Sequence, residues 1–71
     1  MKNKSNWFTI FVENGSFISP EWVKIAEVSS EGLVNLLYPR LSEIYVIQPI
    51  RVIPGKHTTA PSDIDLYGWK A

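Results

Sequence analysis

The chain has 71 residues, 45% apolar and 20% charged, with seven basic residues against seven acidic ones and no cysteine. That length holds one domain and excludes a dinucleotide-binding fold, a large barrel or a two-domain enzyme, and only about 60% of the unfolded chain's surface is buried at this size, so the core is thin. The balanced charge removes the basic excess on which dedicated nucleic-acid binders rely, and the lack of cysteine excludes a disulfide scaffold and every thiolate zinc site.

Residues 1–6 are polar and read as a flexible N-terminus, residues 7–54 as the folded domain, 55–62 as a linker and 63–71 as an amphipathic tail. Trp7, Phe8, Thr9, Ile10, Phe11 and Val12 are aromatic or β-branched and predict a strand. Asn14-Gly15 is a strong hairpin signal, and it would bring Phe17 and Ile18 back beside Val12 and Phe11.

Two readings fit the next stretch. Ser19-Pro20-Glu21 supplies a cap, a first-turn proline and an acidic residue for a short helix over 20–27. The favoured reading is a hairpin turning at residues 29–32, with Val28 facing Leu33, Ile25 facing Leu36 and Val23 facing Tyr38. Pro39-Arg40 breaks the pattern. Glu43 to Ile47 then reads as a central strand, apolar on both faces. Pro49 implies a bulge, a kink or an edge, and residues 50–53 form a last short strand closed by Pro54-Gly55.

Four or five short strands joined by turns predict a mostly β fold, a small antiparallel barrel with one or two short helical turns. Trp22 opening a strand that closes on Ala26 and Val28, the turn at Gly32, the strand ending at Tyr38, then Tyr45-Val46 and the run to Ile53-Pro54 together resemble an SH3-like barrel of the Tudor kind. The resemblance covers about half the chain and implies a binding module rather than a catalyst.

Nothing in the residues spells out a reaction. His57 is the single histidine and has no second ligand of its kind, so no metal or other cofactor is expected. Asp63 and Asp65 fit the start of a helical turn capped by Ser62. The four glycines, at 15, 32, 55 and 68, are scattered and form no phosphate loop. A non-enzymatic role follows.

The aromatics carry the functional expectation, nine in all and three of them tryptophan. Trp22, Tyr45, Tyr67 and Trp69 with Arg40 are the residue types that anchor interfaces, and they predict a protein-interaction module or a small accessory or inhibitor protein. The tail, with Ile64 and Tyr67 on one face of a turn ended by Gly68, docks either on its own domain or on a partner. The alternative is a nucleic-acid-binding barrel using Lys24, Arg40, Arg51 and Lys56. An exposed strand edge offers a route to a homodimer. With no run long enough to span a bilayer or to serve as a signal-peptide core, the expected compartment is the cytoplasm, away from membranes.

Overall fold

A computed structural model describes residues 7–15 and 21–69. Residues 1–6, expected as a flexible N-terminus, and Phe17 and Ile18, expected as a returning strand, lie outside the described residues. Strand β1 spans Phe8–Glu13, β2 Trp22–Val28 and β3 Ile50–Pro54, with helix α1 over Glu31–Ile44 and a single 3-10 turn at Ile64–Leu66. The three strands form an open antiparallel sheet in the order β2-β1-β3.

Strand β1 is central because both its faces are apolar. Thr9, Ile10, Phe11 and Val12 are all buried. Ile10 pairs with Ala26 on one side and Val52 on the other, and Val12 pairs with Val23 and Ile50. Ile10, Val12, Ala26, Ile50 and Val52 pack in the cluster shared with α1, while Val23 at the outer edge stays exposed. Phe11, between Lys24 and Arg51 in the ladder, faces the opposite way, as does Thr9 beside Ile53. The return from β1 is longer than a tight turn at Asn14-Gly15 would make it. Asn14 N–H donates to the carbonyl of Glu21 at 2.8 Å, so the ladder resumes only at Trp22.

The register shifts between Ile10 and Phe11, whose partners are Ala26 and Lys24, leaving Ile25 as the extra residue of a bulge in β2. The bulge accounts for an ion pair that a regular strand forbids. Residues three apart lie on opposite faces of a strand, yet Lys24 and Glu27 meet at 3.4 Å. One unpaired residue between them restores a common face.

The closed barrel of four or five strands is not formed. Only the first arm of the expected hairpin, Trp22–Val28, is a strand, which also excludes a helix over 20–27. The second arm, residues 33–38, lies inside α1, and the strand expected at 43–47 is the end of α1 followed by bends. With Leu36 turned outward and no fourth strand among the described residues, the sheet stays open. Ser30 decides the helix start: its side chain accepts from Leu33 N–H at 3.1 Å, and Glu31 sits favourably in the first turn. Val34, Leu37, Tyr38, Leu41 and Tyr45 then follow the helical spacing i, i+3, i+4, i+7 and i+11, and all five join the core with Ile10, Val12, Val28, Ile50 and Val52. Pro39 stands within the helix on its exposed side. It removes the hydrogen bond to the carbonyl of Asn35, which is itself exposed and open to water.

The other face of the sheet is covered by the tail. Phe11, Ile53 and Ile64 form a second cluster, joined by Trp22, Ala60 and Tyr67. The expected cap by Ser62 is not made; Asp63 precedes the 3-10 turn without a side-chain cap, and Tyr67 N–H closes it on the carbonyl of Ile64. Trp69 continues past the sheet to the helix side. Its ring meets Phe8 edge to face at 5.6 Å, and its Nε1–H donates to Asn35 Oδ1 at 2.9 Å.

A latch sets the path of the segment leading to that tail. Gly55 adopts φ +93°, a left-handed conformation suited to glycine, and its N–H donates to the carbonyl of Trp7. Thr9, fully buried on β1, donates its hydroxyl to the carbonyl of Gly55 at 2.8 Å and accepts from His57 N–H at 3.0 Å. Thr9→Val keeps the shape and removes both bonds. The expected loss is about 1–3 kcal/mol, read as a lower urea midpoint at unchanged slope; a change within about 0.5 kcal/mol would show the latch to be idle.

Candidate functional site

Four of the five residues expected to meet a partner pack against the protein's own interior. Trp22 is half-buried beside Phe11, with the Arg51 guanidinium 5.6 Å from the centre of its ring. Tyr45 closes α1, its N–H donating to the carbonyl of Leu41 at 2.8 Å, and its ring joins the core. Tyr67 and Trp69 are half-buried in the tail's contacts with the two faces of the sheet. Arg40 alone of the five is exposed, on α1.

The four basic residues of the nucleic-acid reading are not gathered into one groove. Lys24 is engaged by Glu27. Arg51 lies over Trp22, donates Nη1–H to the carbonyl of Ile50 and has its buried Nε without a hydrogen-bond partner. Lys56 sits 4.1 Å from the ring centre of Trp7. Arg40 belongs to the helix on the opposite face of the sheet from Arg51. Stacking proteins need bases to reach bare aromatic faces along a basic track, and here cations already occupy the rings of Trp7 and Trp22.

His57 Nε2 lies 2.9 Å from the carbonyl of Pro54, so the ring closes its own loop. No group of three or more His, Cys, Asp or Glu side chains among the described residues is placed to hold a metal ion. No helix among them is long and apolar enough to cross a membrane.

The open surface is aliphatic. Leu36 is 70% exposed, Ile44 68%, Val46 76% and Ile47 87%, with Leu33 at 41%. At 100° per residue, Leu33, Leu36, Arg40 and Ile44 fall within an arc of about 80° on α1, centred about 100° around the helix from the core stripe. Val46 and Ile47 are exposed in the bends that follow the helix directly after Ile44. Asn35, where Trp69 docks, lies about 140° around the helix from Arg40. Among the described residues, sheet and tail thus cover two sides of α1 and leave this third one open.

Arg40 is exposed within this arc and Glu43 beside it, about 60° around the helix from Arg40, and neither belongs to the single ion pair formed among the described residues. Clusters of exposed large apolar residues on a soluble protein often mark contact sites. A hairpin register sets Leu36 inward, opposite Ile25, and so hides this flank from a sequence reading. The signal that finds it is a second stripe at helical spacing, Leu33, Leu36, Arg40 and Ile44, running beside the core stripe.

No protein-family model, no curated protein and no solved structure matches the chain.

Proposed function

We propose that the chain is a non-catalytic protein-binding module, of the kind that serves as a small accessory or inhibitor protein, and that it binds through the open flank of α1. The observation that carries this reading is the set of four aliphatic residues, Leu36, Ile44, Val46 and Ile47, each more than two-thirds exposed around Arg40. Aliphatic side chains gain about 1.5–3 kcal/mol each when fully buried, so covering the four is worth about 6–12 kcal/mol before costs. Association costs of about 4–15 kcal/mol fall in the same range. Hence the flank supports modest affinity, and Arg40 adds an orienting charge.

A photo-crosslinking residue placed at Leu36 or Ile47 tests this in the cells the chain comes from, with Lys24 and Asp63 as control positions away from the flank. Discrete protein adducts are expected at the two flank positions and none at the controls. Equal labelling at all four positions, or none at any, would overturn the reading.

A further inference from the structure

We propose that the occupant of the α1 flank is a second copy of this chain, docked with its helix antiparallel to the first about a twofold axis. This rests on the flank being the docking surface. A twofold contact uses the same patch on both copies, so the patch must complement itself. Within α1, Leu33, Leu36, Arg40 and Glu43 alternate spacings of three and four residues, the pattern of a seam along which two helices pack, and exposed Ile47 follows in the bends just beyond the helix end. Place the axis between Leu41 and Ser42. Arg40 of one copy then lies opposite Glu43 of the other, and Leu36 lies toward the exposed Val46-Ile47 segment that follows the other helix. The twofold repeats both matches, giving two ion pairs flanked by two aliphatic contacts.

Sliding the helices so that Leu36 meets Ile44 would instead set Arg40 against its own counterpart. Charge therefore selects the register as well as the partner. Sheet edges offer a poorer route to a dimer. The β2 edge carries the bulge at Ile25 with Lys24 and Glu27, and β3 is bracketed by Pro49 and Pro54; bulges, charges and prolines on an edge all oppose strand addition.

Sedimentation velocity on the purified chain, from low micromolar to near-millimolar concentration, reads the outcome. The mass is expected to rise from 8.1 kDa toward twice that value. R40E turns both attractive pairs repulsive and is expected to weaken dimerisation at least about tenfold, as is E43R. The double variant R40E/E43R exchanges the two charges and is expected to return to within about threefold of the starting chain. These side chains are exposed, so circular dichroism should show the same fold in all three variants.

A chain that stays monomeric throughout, or a double reversal as weak as the single ones, would overturn the proposal. The two readings separate cleanly. A monomer whose Leu36 still cross-links to a different protein removes the second copy and keeps the docking flank, whereas a monomer with no adduct removes both.

Discussion

Ending the chain at Ala60 is expected to leave it without a cooperative fold at room temperature. The lost residues include Ile64, which is buried against Phe11 and Ile53, and Tyr67 beside it. They also include Trp69, which holds Phe8 and Asn35. Truncating a buried isoleucine costs about 2–5 kcal/mol and a packed tryptophan about 3–5 kcal/mol, while a core in a chain this small rarely supplies more than about 3–5 kcal/mol in total. Either loss alone therefore approaches the whole stability.

The measurement is amide dispersion by NMR together with a thermal melt. Collapsed dispersion and a flat melt are expected, and a truncated chain that keeps both would show the tail to be unnecessary. Trp69→Phe separates the tail's two contacts with the helix side. It keeps a ring against Phe8 and removes only the bond to Asn35, so a much smaller loss, about 0.5–1.5 kcal/mol, is expected.

Why the sequence exposed the sheet and hid the helix follows from local chemistry. Strands Trp22–Val28 and Ile50–Pro54 are rich in β-branched and aromatic residues and bounded by turn formers, so their type is readable without tertiary information. The stretch from Glu31 to Ile44 is misleading in two ways. Ser29-Ser30-Glu31-Gly32 fits a turn as well as a helix cap, and only the bond from Leu33 N–H to Ser30 shows which is made. Pro39 then divides a 14-residue helix into two runs, each short enough to pass for a strand.

Tertiary packing resolves the ambiguity. The five inward residues from Val34 to Tyr45 meet a sheet that already presents Ile10, Val12 and Val52, and that burial outweighs the proline. The aromatic residues misled for a related reason. Tryptophan and tyrosine are as suited to sealing a thin core as to gripping a partner. Here an open sheet with two faces to cover draws Trp22, Tyr67 and Trp69 into its own coverage. What remains for outside contact is aliphatic, and its visibility depends on first recognising the helix.

Phe11 and Leu36 test that division of labour in a single experiment, because both are large and apolar and the structure gives them opposite exposure. Phe11 lies in the central strand, 1% exposed, at the centre of the tail-side cluster. Phe11→Ala is expected to cost about 3–5 kcal/mol, enough to unfold much of the population at 25 °C. Leu36 stands on the open flank of α1 at 70% exposure. Leu36→Ala should change stability by no more than about 0.5 kcal/mol, and Leu36→Glu should fold equally well while losing its association.

A hairpin turning at residues 29–32 makes the opposite demand, since it sets Leu36 against Ile25 in the interior and would render Leu36→Glu ruinous. Urea titrations of the three variants against the parent chain read both residues on one scale, at concentrations low enough to keep the parent monomeric so that association does not inflate its apparent stability. A Leu36→Glu midpoint lowered as far as that of Phe11→Ala would return Leu36 to the core and remove the docking flank with it. An unchanged midpoint, with binding gone, would confine the role of Leu36 to contact outside the chain.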